Sequence, residues 1–347
     1  LRAELALALL LAAPALRAGD LGSEVTFGAQ RGARFGVHAG FGPQIVYDSG
    51  PSDPLPEEWD TVLIQGEMPE PFVRFTAARP GGAPIWVNLE VHRRPDGRFW
   101  AKGRFPKGAG AVRLRAIDEG SLSDHEVTVY SAEAFAAGPD APPSPSLPSR
   151  GPMDPGATPP PVHPRSEWKA LPPTNPLSPD PLPWRITLHH TDGRYTTSLK
   201  DSLDETLFIQ DFHQNGRKWS DIAYHFVVDP LGNIIEGRPL ETLGAHTLSN
   251  NEGNVGVVLL GTYHPPKNDQ PTAAQLAAVG ELGRFLVKRF GIDPASLKGH
   301  RNYKQTDCPG DLAYARLDEL RAAFGSRPAP ARAQRARKSA ARPSATR

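Results

Sequence analysis

Between Gly138 and Pro183 the chain carries nearly half of its 38 prolines. Proline has no backbone N–H and a locked φ, so neither a helix interior nor a central strand can run through such a stretch. The chain must therefore fold on either side of it. Up to about Pro161 the composition predicts a stiff, extended polyproline-type linker (residues 138–161) between two independently folding units. From Val162 onward, Arg165, Glu167 and Trp168 predict an arm packed on the second unit. Trp168 is a large apolar side chain in a polar stretch and needs a place to bury. A length of 347 residues suits two domains plus extensions, and 39% hydrophobic content beside 33 glycines fits folded units joined by unstructured segments.

Before the proline run, residues 23–137 show a period of two. Ile85, Val87, Leu89 and Val91 alternate with Trp86, Asn88, Glu90 and His92, and Pro95-Asp96-Gly97 turns the chain into Arg98–Lys102. Val112, Leu114 and Ala116 alternate again, and His125–Tyr130 closes the series. Short strands separated by turn signals predict an all-β sandwich. Trp59, Trp86 and Trp100 could stack on sugars, but core or rim packing is the better reading of all three. After the proline run, strand and helix alternate. Trp184–Thr191, Ala223–Asp229, Ile234–Glu236, Val255–Gly261 and Leu297–His300 read as strands. A helix starts after Thr197 or Ser198, a second opens on the capping box Thr272-Ala273-Ala274-Gln275 and stops at Gly291, and a third covers Asp311–Phe324. Residues 162–324 are thus an α/β domain with a mixed central sheet flanked by helices.

The whole-chain charge of +1 hides an asymmetry. Residues 327–347 carry seven basic side chains and no acid; without them the chain has 32 basic against 38 acidic residues. The tail (325–347) is expected to be disordered and to raise the encounter rate with anionic polymers. No basic groove interleaved with aromatics is present, so nucleic acid is not an expected partner. The apolar run Leu5–Leu16 behind Arg2 is too short to span a bilayer and reads as a signal peptide over residues 1–18, despite Leu16 at a position that favours a small residue. A secreted or periplasmic, monomeric protein with no transmembrane segment is expected, and one cysteine excludes an intramolecular disulfide.

That cysteine, Cys308, lies in the polar stretch Lys298-Gly299-His300-Arg301-Asn302-Tyr303-Lys304-Gln305-Thr306-Asp307-Cys308-Pro309-Gly310. A lone thiol is core filler, a nucleophile or a metal ligand. A Pro/Gly-bounded loop suits the last two, and a loop folding back can bring His300 to the thiol. A third donor has to come from elsewhere, and the His189-His190 pair at a strand end offers one. Two imidazoles and a thiolate leave a tetrahedral position open, the form of a catalytic zinc site.

In order along residues 162–322 the chain carries Arg165-Ser166-Glu167-Trp168, Leu188-His189-His190-Thr191, Trp219-Ser220-Asp221-Ile222-Ala223-Tyr224-His225-Phe226, Gly244-Ala245-His246, Asn254-Val255-Gly256-Val257, Gly299-His300-Arg301 and Thr306-Asp307-Cys308-Pro309-Gly310. This series resembles the peptidoglycan recognition protein and type 2 N-acetylmuramoyl-L-alanine amidase family. The resemblance implies Zn2+ held by His189, His300 and Cys308. It implies hydrolysis of the amide between N-acetylmuramic acid and L-alanine, with peptidoglycan as partner. It gives Tyr224 the role of donor to the carbonyl oxygen. Thr306 stands where relatives carry lysine or threonine, and its hydroxyl could hold the substrate oxygen or water. His246, Asn254 and Arg238 are the candidate substrate contacts; Arg238-Pro239-Leu240 matches neither common pairing that reads the third stem residue. The alternative is a non-catalytic peptidoglycan-binding protein on the same fold, but such relatives typically lose the cysteine. His190, on the opposite strand face, His213, His225, Glu236 and Arg301 are expected to be structural.

Overall fold

The structure, a computed structural model, describes residues 23–27, 32–40, 42–81, 83–136 and 154–325. The expected signal peptide, most of the expected linker and the basic tail beyond Gly325 lie outside these residues. Among the described residues the first half forms ten strands: β1 (Ser23–Glu24), β2 (Ala33–Val37), β3 (Gln44–Pro51), β4 (Leu55–Glu67), β5 (Val73–Ala78), β6 (Val87–Asn88), β7 (Glu90–Arg93), β8 (Arg98–Gly110), β9 (Arg113–Asp118) and β10 (His125–Phe135). One sheet runs β1-β10-β4-β8-β7, with β2 also on β10; the other runs β3-β9-β5-β6. All pairs are antiparallel. Alternation sends Leu114 and Ala116 inward and leaves Arg113 and Arg115 outside. Val62, Ile64 and Phe99 of the larger sheet share one apolar cluster with Phe75 and Leu114 of the smaller.

The period-two run from Ile85 to Val91 is not one strand. β6 pairs with β5 in the smaller sheet and β7 with β8 in the larger, so the chain changes sheets at buried Leu89. Ile85 precedes both strands and is 81% exposed. The tryptophans are core or rim residues. Trp59 is buried and donates to the Gly110 carbonyl at 3.0 Å. Half-buried Trp86 lies under the Arg115 guanidinium, and Trp100 is buried against the second half.

The second half is a five-stranded sheet: β11 (Arg185–His190), β12 (Phe226–Val228), β13 (Ile234–Glu236), β14 (Asn254–Leu259) and β15 (Lys298–Gly299), in the order β13-β12-β14-β11-β15. Only the β12–β13 hairpin is antiparallel. Covered on both faces, β14 is buried throughout, which is why it reads as an unbroken apolar run. On one face lie α2 (Ala273–Phe290) and α4 (Leu317–Gly325). They touch because Gly283 has no Cβ; one built there would sit 2.0 Å from the Phe324 ring. On the other face lies α1 (Leu199–Asp211), which runs on into a π-helical turn, Phe212–Arg217.

Helix caps follow the sequence, with two departures. Ser198 caps α1 through Asp201 N–H, and Thr272 caps α2 through Gln275 N–H. The capping box is only half made, because the Gln275 amide donates instead to the Val228 carbonyl and accepts from Tyr263. The last helix is broken at Ala315-Arg316 into α3 (Asp311–Tyr314) and α4.

The two halves are not independent units on a tether. Leu63, Trp100 and Phe135 of the β half share a cluster with Trp168, Phe208, Phe212 and Ile222. Arg98, 1% exposed, forks onto Glu205 with two bonds of 2.8 Å. The Trp100 indole donates to Asp211 at 2.7 Å, and Arg194 and Arg217 pair with Glu67 and Glu133. A paired buried charge needs its partner in place, so this contact fixes one relative placement. Trp168 is buried as expected, donating to the Glu236 carbonyl at 2.8 Å.

Candidate metal centre and its cleft

His189 sits near the C-terminal end of β11, the end at which open parallel sheets place ligands. His300 follows β15 and Cys308 lies in the loop before α3. Since β15 pairs with β11, the strand register itself brings the two histidines together. The donor atoms of His189, His300 and Cys308 all lie within 4.8 Å of one another. His189 Nδ1 is 3.5 Å from the thiol sulfur.

The tautomers follow from the surrounding bonds. His246 Nε2 is 3.0 Å from the Asn254 carbonyl, which has no proton to give, so that nitrogen carries the proton. Burial holds the His246 pKa well below its usual range, so the ring is neutral and its Nδ1 accepts. His189 Nε2 lies 3.0 Å from that Nδ1, with Thr247 Oγ1 at 2.8 Å. Two lone pairs would repel there, so His189 Nε2 donates and its Nδ1 lone pair faces the thiol. A ring held in this way by its far N–H is the usual setting of a metal-bound histidine.

Electrostatics point the same way. Burial, then the neighbouring imidazoles, push the His189 pKa well down. Burial and the Lys304 charge take His300 to about 3. Both rings are therefore neutral, with lone pairs to offer, at neutral pH. Burial pushes the Cys308 thiol up to about 12, so only a cation beside it would make it a thiolate near pH 7. His300 Nε2 is buried and has no hydrogen-bond partner among the described residues. The donor set, the fixed tautomer and this unpartnered nitrogen fit a metal ion.

Tyr224 packs its ring 5.1 Å from that of His189 and borders the same cavity. Burial raises its pKa, so its phenol stays a donor. Thr306 is also here, but its hydroxyl donates to Glu24 of the β half while accepting from Cys308 N–H at 3.2 Å. The free hydroxyl expected for substrate is therefore engaged.

The three expected substrate contacts have other work. His246 orients His189. Asn254, 1% exposed, supplies the carbonyl behind His246; its own amide holds Thr187 at 2.9 Å and Asn250 at 2.8 Å. Arg238, 4% exposed, donates to the carbonyls of Ile222 at 2.8 Å and Leu243 at 2.7 Å, pinning the segments that flank Tyr224. The hydrogen bonds that Asn254 and Arg238 make here are thus to the protein itself.

The expected structural residues behave as read. Glu236 accepts from Arg165 N–H, and Arg301 ties Asp307 to Asp311. His213 Nδ1 accepts from Ala223 N–H, and His225 holds Gly256 and Thr242. One group was missed in the sequence. His190, Asp192 and His264 also bring donor atoms within 4.8 Å. His264 Nδ1 donates to the Pro265 carbonyl at 2.6 Å, so Nε2, 3.3 Å from Asp192, needs a proton of its own. Burial opposes that charge, but the adjacent Asp192 carboxylate prevails and the pKa is raised. An ion pair accounts for this group.

The family model for N-acetylmuramoyl-L-alanine amidase matches residues 179–311. Peptidoglycan-recognition protein LB of Drosophila melanogaster is 36% identical over 155 residues, 44% of this chain and 66% of that protein. Peptidoglycan-recognition protein SC2 of Drosophila simulans is 31% identical across 42% of this chain and 78% of its own length. The chain belongs to the peptidoglycan recognition protein and N-acetylmuramoyl-L-alanine amidase family. Members of this family carry both names: the N-acetylmuramoyl-L-alanine amidase of Sus scrofa is 36% identical over 45% of this chain, but the match spans 26% of that protein. Among solved structures, Drosophila peptidoglycan recognition protein SD is 30% identical, covering 46% of this chain and 94% of its own with a TM-score of 0.43. All of these matches cover less than half of this chain, and the family model begins after the β half.

Proposed function

We propose that this chain is a zinc-dependent amidase that cleaves the bond between N-acetylmuramic acid and L-alanine in peptidoglycan. The observation that carries the reading is the convergence of His189, His300 and Cys308, with the His189 ring set by His246 so that Nδ1 faces the thiol. Those three residues would hold the ion. When bound, zinc acts as a Lewis acid on an amide carbonyl and makes water nucleophilic at neutral pH. A buried thiol beside two neutral imidazoles, one of them with no hydrogen-bond partner among the described residues, supports a bound ion.

The residues around the centre have separable tasks. The Tyr224 phenol, protonated at neutral pH, donates to the amide oxygen as negative charge develops on it. His246 and the Asn254 carbonyl keep His189 in one tautomer, so no proton has to move there during turnover. Cys308 is steadied by the His190 N–H, 3.4 Å from its sulfur. The apolar sheet and α1 behind the centre exclude bulk water, which strengthens every polar contact in the cleft. The same reading places the protein, as a monomer, in the cell envelope or outside the cell, where peptidoglycan lies; the apolar run Leu5–Leu16 supports this. No helix among the described residues is long and apolar enough to cross a membrane.

The test is digestion of purified peptidoglycan followed by mass analysis. Stem peptides with a free L-alanine amine should appear, and should disappear with chelator. Binding without release of such peptides would refute the amidase reading.

A further inference from the structure

Cys308 lies in a stretch, residues 303–310, that forms no helix or strand. The place of such a backbone is set by the partners that its N–H and C=O groups find. The Cys308 carbonyl accepts from Arg301 N–H at 3.0 Å, and its own N–H donates to the Thr306 hydroxyl oxygen at 3.2 Å. The first bond stays within the loop. The second leads out of the amidase half, because Thr306 gives its single hydroxyl proton to Glu24 of β1. With that proton held on Glu24, a lone pair of the hydroxyl faces the Cys308 N–H. Without Glu24 the hydroxyl is free to turn, and the N–H loses a fixed acceptor.

The strand register places Glu24. β1 pairs with β10 so that Glu24 lies directly opposite Glu133. Side chains opposite each other on antiparallel strands share a face, and like charges there repel. The amidase half meets both carboxylates. Thr306 donates to Glu24, and Arg217, at the end of the π-helical turn after α1, pairs with Glu133. Glu24 and Glu133 border the cavity beside the metal centre together with Arg217, His300 and Cys308. The β half therefore stands over the cleft and holds two of its walls, the loop that carries Cys308 and the turn that ends α1. The second carboxylate oxygen of Glu24 is buried, so this side chain is a fixture of the protein. It lies outside the residues that the family model matches.

We infer that Glu24 is a positioning residue for the metal centre: through Thr306 it sets the Cys308 backbone, so that the β half governs how tightly the centre holds its ion. The inference rests on the zinc reading above, and it gives the β half a role at the site instead of a separate attachment to cell wall.

The test uses the full chain and measures zinc affinity by competition with a chromogenic chelator. The Tm of the metal-free protein and the thiolate-to-metal absorption band of the cobalt-substituted protein are read alongside. Glu24→Ala should weaken zinc binding about tenfold, the lower end of the range for groups that orient metal ligands, and should alter the cobalt band. Glu24→Gln should stay within about threefold of wild type, because its amide oxygen still accepts from Thr306. Thr306→Val keeps the shape and loses the hydroxyl; it should match Glu24→Ala, and the double variant should lose no more than either. The metal-free Tm should change little, since the Arg98–Glu205 fork and the Trp100–Asp211 bond hold the two halves together. Should Glu24→Ala not fold, Glu24→Met, which keeps the side-chain length without an oxygen acceptor, takes its place. Zinc affinity equal to wild type in that variant overturns the inference. So do additive losses in the double variant, or a loss that Glu24→Gln does not recover, since Glu24 then does not act through its bond to Thr306. An affinity loss matched by a falling metal-free Tm also overturns it, because Glu24 is then only a brace of the fold. Wild type that takes up no zinc refutes the metal reading and the inference with it. Zinc bound equally by wild type and all variants refutes the inference alone.

Discussion

At the scale of single residues, the centre depends on which nitrogen of each imidazole carries its proton. Cys308→Ser replaces the one soft donor with a hydroxyl, and metal analysis of the purified variant should show zinc falling from near one equivalent to a small fraction; full retention would remove Cys308 from the ligand set. His246→Phe keeps a ring in the space but loses the acceptor that holds His189 Nε2–H. Removal of such an orienting partner typically costs 10–100-fold in metal affinity, and competition with a chromogenic chelator should read a shift of that order. Tyr224→Phe deletes only a hydroxyl; zinc should stay bound while kcat falls on the order of 10²–10³-fold, and equal turnover would dismiss the donor role. The candidate donors could be named from the sequence because the chain has one thiol and because the motif series resembles a family whose pattern selects His189 from its pair. The roles of His246, Asn254 and Arg238 could not. Whether a polar side chain faces substrate or the protein depends on which carbonyls the fold brings to it, and their partners lie 5–67 residues away.

At the scale of elements, β11 delivers His189 and His190 to opposite faces of one sheet, as the pleat requires. His189 joins His300 and Cys308 in the candidate metal centre. His190 joins His264, whose loop between β14 and α2 is pinned to the end of β11 through Asp192. The sign of the pH dependence of this pin follows from the raised His264 pKa. The folded state binds the proton more tightly than the unfolded chain, whose histidine titrates near 6.5. The stabilisation is fully present below about pH 6.5 and is lost as pH rises through the raised folded value. Thermal unfolding of wild type and His264→Gln should therefore show the larger Tm gap at pH 5.5 and a smaller one at pH 8.5. A gap independent of pH would mean that the pair carries no charge. Helices and buried parallel strands were legible because caps and unbroken apolar runs are local signals. The sheet change at Leu89 was not, because a period of two continues through it while the pairing partner changes.

At the scale of the whole molecule, the contact between the halves turns on Arg98 and Glu205, 107 residues apart and both almost fully buried. Arg98→Ala strands a carboxylate in the interior, which should cost about 3–5 kcal/mol in urea unfolding. The double change Arg98→Met, Glu205→Met should recover most of it, since the desolvation of both charges goes with them. A loss of less than about 1 kcal/mol in Arg98→Ala would show that Glu205 reaches water and that the halves separate. By itself the sequence determined where folding could not pass, which stretches alternate with period two, and that one thiol, one nearby histidine and a histidine pair at a strand end could meet; the choice of His189 came from the family resemblance. Those properties belong to residue type and to spacing along the chain. Only the tertiary structure decided that the β half stands over the cleft, that Glu24 holds the Thr306 hydroxyl and that His246 serves His189. Each depends on groups that folding brings within about 3 Å from far apart in the chain, and in that range the direction of one proton decides what a side chain is free to do.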